Sequence, residues 1–233
     1  FVADLDKTVD SINNHFYNKD RNRFFGCIDN KSCFDLKKGR HLDNGHTVKA
    51  FWMEYLVACM TGNEKLKEFA KHGMLTTLQS AQTDEHTNWY GDLLKKDASW
   101  WEYAELDQSA LTLALTGDYE LQDTLRPWVN DYVDRQYGEL NHFGLKTFFW
   151  RNGFHSTEHA LIGTILSNAI RANACADDKC RAENRVKLYF APVKSDDTIF
   201  TPYLYSGKIV SVKDRDNVKE VTFEDIALPV KAY

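Results

Sequence analysis

An internal repeat constrains this chain more than any other feature. A helix-forming stretch, the turn Thr61-Gly62-Asn63 and a second helix-forming stretch recur as helix, Thr116-Gly117-Asp118 and helix, 55 residues later. Glycine stops a helix because it accepts the left-handed conformation that follows the last turn. Each unit reads as a long helical hairpin followed by a loop of about 15 residues. One hairpin cannot bury its apolar face alone, so repeated hairpins must stack on their neighbours.

Apolar spacing extends this to six helices. Val2, Leu5, Val9, Ile12 and Phe16 form one helical face, starting without a cap as though the helix had been cut into. Residues 17–43 read as a loop. The next helices span about 44–60, with Asn44 as N-cap, then 64–82, 99–115, 119–137 and 155–174. Pro127 is expected to kink the fifth. After Asn184 the pattern changes to β-branched and aromatic residues over 185–193, 201–212 and 218–226, with Ser206-Gly207 as a hairpin turn. The expected organisation is a mainly α portion over 1–184 and a small antiparallel β segment over 185–233. Segregated helices and strands argue against a parallel α/β fold.

The formal net charge is −5, which argues against nucleic acid as a partner, because phosphate binding needs a concentrated basic face. No apolar run approaches the ~20 residues that span a bilayer, and no charged-then-apolar leader opens the sequence. Cys27 with Cys33 and Cys175 with Cys180 flank turn-prone residues, and each pair could close a disulfide loop in an oxidising compartment. A secreted or periplasmic location is the expectation, with unlinked thiols in the cytoplasm as the alternative. Cys59, in an apolar stretch, reads as a buried free thiol.

Three segments combine aromatic rings with ionisable groups at helix starts or in loops. The first holds His41, Asp43, His46 and Lys49. A helix N-terminus disfavours imidazolium, so a neutral, base-competent His46 is expected. The second holds Trp100, Trp101, Glu102 and Glu105. An indole four residues from a carboxylate suits a sugar, the ring stacking on C–H groups while the carboxylate binds hydroxyls. The third holds His155, Glu158 and His159, spaced so that all three can share a helix face. A metal is a minor alternative there, since no third ligand is evident. The plainer alternative packs His159 under the loop and exposes only His155. Phosphate-cradling and dinucleotide-binding glycine motifs are missing.

In order along the chain, these segments resemble the N-acylglucosamine 2-epimerase superfamily, which includes aldose–ketose isomerases and cellobiose 2-epimerases. Asn-Gly-His-Thr-Val-Lys-Ala-Phe-Trp (44–52) is similar to its Pro-Gly-His-x-x-Glu-x-x-Trp helix start. Trp89-Tyr90-Gly91 is similar to its aromatic–glycine loop, and Trp100-Trp101-x-x-x-Glu105 before Leu115-Thr116-Gly117-Asp118 to its next hairpin. Lys146 followed by Asn152-Gly153-Phe154-His155 resembles the opening of its last inner helix. The resemblance covers about residues 40–170. It implies the C-terminal half of an (α/α)6 toroid, with a site at the inner-helix ends. It further implies that His46 and His155 exchange the proton at sugar C2, with Glu105 on the hydroxyls and Trp89, Trp100 and Trp101 as stacking surface. Glu158 and His159 would line the same site, and neither metal nor cofactor is implied.

Three departures from the family pattern carry their own expectations. Lys49 stands where the family has a carboxylate; it should lower the pKa of His46 and help an anionic substrate, or else mark a loss of catalysis, while in a lyase Lys49 and Arg151 would neutralise a uronate. Only half the hairpins are present, so a second polypeptide, the N-terminal half of the same precursor, is expected to complete the ring. The C-terminal β segment would cover the funnel or mediate assembly. Two other classes stay open beside the epimerase: a uronate lyase or hydrolase on a similar toroid, and a non-catalytic sugar-binding or assembly protein.

Overall fold

The computed structural model describes residues 2–25, 42–83, 88–141, 153–191 and 199–229. His41, Lys146, Arg151 and the Cys27/Cys33 pair lie outside these residues. The described chain is mainly α, with seven helices and small antiparallel sheets.

Helix α1 (Val2–His15) lays Val9 against Ala58 and Leu66. A short hairpin follows, β1 (Tyr17–Asn18) paired with β2 (Arg23–Phe24), where a plain loop was expected. Helix α2 (Asn44–Thr61) is capped one residue earlier than expected. The Asp43 carboxylate accepts the His46 amide N–H at 2.6 Å, while Asn44 is buried and donates to the Tyr90 carbonyl at 2.6 Å. Gly62 ends α2 at φ 70°, and Asn63 caps α3 (Glu64–Ala81). The two helices pack so closely that a Cβ on Gly73 would fall 2.3 Å from the Phe51 ring.

A capping box of Ser99 and Glu102 starts α4 (Trp100–Leu115). The second hairpin is shorter than the repeat suggests: residues 118–124 are not helical, and α5 covers only Leu125–Tyr132. Pro127 is the third residue of α5, where an amide N–H has no helical partner, so it opens the helix instead of kinking one. Strands β3 (Val133–Asp134) and β4 (Glu139–Leu140) form another two-residue ladder. Helix α6 (Gly153–Asn173) is followed by α7 (Asp178–Glu183), which the periodicity does not reveal. Cys175 and Cys180 are bonded, tying the end of α6 to α7, a pairing compatible with an oxidising compartment. Cys59 is a half-buried free thiol, not a fully buried one.

Helix α4 stands between α2 and α6, while α3 backs α2. Strands β5 (Val186–Phe190), β6 (Ser206–Arg215) and β7 (Val218–Ala227) form an antiparallel sheet in the order β5-β7-β6. Ser206-Gly207 opens β6, so the expected hairpin turn is displaced to Asp216-Asn217, where Asp216 takes φ 50°. Residues 199–205 are not a strand. Val186, Val221 and Phe223 join Phe51, Leu106 and Ile162 in one hydrophobic cluster, so sheet and helices share a core.

Candidate functional site

The N-terminal turns of α2, α4 and α6 meet at one end of the helical trio. Gly45 makes this possible, because a Cβ there would lie 2.7 Å from the Trp101 ring. Trp101 thus leans across the first turn of α2. The His46 ring centres 4.7 Å from Trp101, and the His155 ring 5.6 Å from the same indole. Imidazoles 109 residues apart in sequence therefore share one aromatic platform. Both reach solvent, with side-chain exposures of 60% for His46 and 27% for His155.

Each imidazole has its own carboxylate at Nδ1. Asp43 Oδ2 lies 2.8 Å from His46, and Glu105 Oε1 lies 2.6 Å from His155. Asp43 raises the pKa of His46 through this hydrogen bond, against the opposing effect of burial, with Glu102 and Glu105 adding to the rise. The expectation that Lys49 lowers the pKa of His46 is therefore corrected: the hydrogen-bonded Asp43 carboxylate moves it up. Burial raises the pKa of Glu102, whose Oε2 accepts from both the amide and the hydroxyl of Ser99.

Lys49 lies one turn beyond His46. Its Nζ is hydrogen-bonded to Glu158 Oε2 and stands 3.0 Å from Glu105 Oε2, without hydrogen-bond alignment to the latter. The ammonium also sits 4.3 Å from the centre of the Trp52 ring. Two carboxylates oppose one ammonium, so Lys49 is committed to its neighbours and is no open anion receptor. The other oxygen of Glu158 accepts from the Tyr203 hydroxyl at 2.8 Å. Burial raises the Tyr203 phenol to about 12, and the bond to Glu158 adds to that.

A second layer lies beneath. His159 Nε2 is 3.1 Å from Asp107 Oδ2, and Asp107 Oδ1 accepts from Trp89 Nε1 at 2.8 Å and Thr124 Oγ1 at 2.7 Å. Trp128 packs edge-on against His159, ring centres 4.5 Å apart. His159 is 1% exposed and Trp89 fully buried. Trp89 is therefore no stacking surface; its indole N–H secures Asp107. Trp100 is also buried, and its carbonyl accepts from Trp128 Nε1. Trp101 meets both imidazoles, while the buried Trp100 meets the His155 ring edge-on, centres 5.9 Å apart. His159 is a packed core group instead of a lining residue, and Glu158 reaches the site through Lys49. Among the described residues, no three His, Cys, Asp or Glu side chains are grouped to hold a metal ion.

Sequence reasoning missed Asp107, Tyr203 and Tyr205. Tyr203 and Tyr205 alternate as in a strand, which conceals that they reach the helices. Asp107 lies in a helix that is buried along most of its length, and an acid there is itself a signal of a buried network. The sequence matches no family model, and no curated protein matches it significantly.

Proposed function

We propose that the chain is a carbohydrate epimerase or aldose–ketose isomerase that moves the proton at sugar C2 between two imidazoles. The observation that carries this is the pairing of His46 and His155 over the single ring of Trp101, each with a carboxylate at Nδ1. In such a pair the carboxylate fixes the tautomer and steadies the imidazolium. With its Nδ1–H donated to Glu105, His155 offers Nε2 as the base. The open-chain sugar carries a carbonyl at C1 that acidifies the C2 proton. His155 removes it, leaving an enediolate. His46, whose pKa Asp43 raises, delivers a proton to the opposite face of C2, which inverts that centre, or to C1 with the O2 proton passing to O1, which gives the ketose. Trp101 offers the sugar's C–H face a flat apolar surface.

Two further expectations belong to this reading. A second polypeptide would supply the wall facing α2, α4 and α6, and the chain would work in an oxidising compartment, which the Cys175–Cys180 bond favours. A uronate lyase is less well supported. It needs a cation for the substrate carboxylate, and of the two expected, Lys49 is occupied by Glu105 and Glu158 while Arg151 lies outside the described residues.

Incubation with glucose, mannose, N-acetylglucosamine and uronate polymers in deuterated water tests the proposal. Deuterium at C2 of a monosaccharide is expected. No exchange with any sugar, or an unsaturated ultraviolet-absorbing product from the polymers alone, overturns it.

A further inference from the structure

We infer that Tyr203, in the segment before β6, is a positioning residue for His155, acting through Glu158, Lys49 and Glu105. This rests on the assignment of His155 as a proton-transfer group. The segment is anchored by the buried Tyr205 ring, which belongs to the hydrophobic core cluster and which a phenylalanine would keep; its hydroxyl also shares a 2.9 Å hydrogen bond with Thr112 of α4. Two residues earlier, Tyr203 reaches α6 and donates its hydroxyl to Glu158. A tight turn holds it there: the Tyr203 N–H donates to the Thr201 carbonyl and the Tyr205 N–H to that of Pro202. Tyr203 adopts φ 59°, a left-handed conformation that is costly for a bulky L-residue. Such strain persists only where the surroundings over-determine it, and it gathers at functional sites.

From Tyr203 a continuous series of polar contacts runs to the imidazole. Glu158 holds Lys49, Lys49 lies beside Glu105 Oε2, and Glu105 Oε1 binds His155 Nδ1. Lys49 is shared by two carboxylates, so whatever Glu158 gains, Glu105 loses. The Tyr203 hydroxyl draws charge from Glu158 and leaves the ammonium free to offset Glu105. Without that hydroxyl Lys49 shifts toward Glu158. Glu105, less compensated, then pulls harder on the Nδ1 proton of His155. The β segment expected to cover the funnel or mediate assembly thereby contributes to the site itself.

Nuclear magnetic resonance on the full chain with nitrogen-15 histidine reads this directly, the His155 signals being assigned by their loss in His155→Asn. Tyr203→Phe should move the Nδ1 resonance and send its proton downfield, and Lys49→Met should move it further. Tyr205→Phe, which loses the bond to Thr112 but none to Glu158, should leave it in place. On an exchanging sugar, Tyr203→Phe should lower kcat about tenfold with KM within about twofold. His155 nitrogens unmoved in Tyr203→Phe and Lys49→Met, or moved equally by Tyr205→Phe, overturn the inference. Moved nitrogens in a chain whose wild type exchanges no sugar proton leave the positioning role standing and remove the epimerase reading.

Discussion

Two layers of the same helices carry nearly the same chemistry with opposite exposure. In the upper layer His155 is bonded to Glu105 beside Trp101; in the lower, His159 is bonded to Asp107 beside Trp128. The histidines are one helical turn apart and the carboxylates two residues apart. Yet His155 opens to solvent, while His159 and Asp107 are sealed and tied to Trp89 and Thr124. An imidazole–carboxylate pair is thus not a functional signal by itself. Access decides whether such a pair can meet a substrate, because a buried pair without access can only contribute structure.

The sharpest way to break this comparison is to exchange the fates of the two histidines. His155→Asn should lower C2-proton exchange about 10²- to 10⁴-fold while leaving the thermal midpoint nearly unchanged. His159→Asn should do the reverse, and equal loss of activity from both variants would erase the distinction. Next in size, Asp107→Ala should cost about 3–5 kcal/mol in urea unfolding, because it strips the buried partner from His159, Trp89 and Thr124. Trp89→Phe, which removes one donor from that carboxylate, should cost about 1–3 kcal/mol, whereas Trp101→Phe should leave stability unaffected and weaken sugar binding.

The smallest effect concerns His46. Its pKa is raised in the folded chain, first through the hydrogen bond it donates to Asp43. The stabilisation it contributes is fully present below the unfolded value of about 6.5 and fades as pH rises through the folded value. Its exposed side chain keeps this below about 1 kcal/mol. Histidine titration by nuclear magnetic resonance should find His46 above its ordinary value and lowered in Asp43→Asn. An unchanged His46 in that variant would remove the carboxylate as the cause.

Helix α3 and the bodies of α2, α4 and α6 were legible because apolar spacing, glycine stops and caps agree along each stretch. The over-long fifth helix was not, since residues 118–124 carry helical spacing without the packing to hold it. The turn at Ser206-Gly207 failed for a similar reason: the residues suit a turn, but pairing of β6 with β7 carries the strand through them. Within the site, His46, Trp101, Glu105 and His155 could be picked out because ionisable and aromatic groups at helix starts are conspicuous. The roles of Trp89, Trp100 and His159 could not, because exposure depends on neighbours distant in sequence.

By itself, the sequence determined the bodies of α1, α2, α3, α4 and α6 and their order, the spacing that lets Cys175 and Cys180 bond, and which helix ends bear ionisable groups. All of these depend on interactions within a few residues. Only the tertiary structure decided that three helix ends would meet on one indole and that Lys49 would be shared by Glu105 and Glu158. It also decided that a tyrosine from the β segment would reach Glu158. Those outcomes depend on charge and packing between residues 45 to 109 positions apart, where the strength of each contact is set by burial that no local pattern encodes.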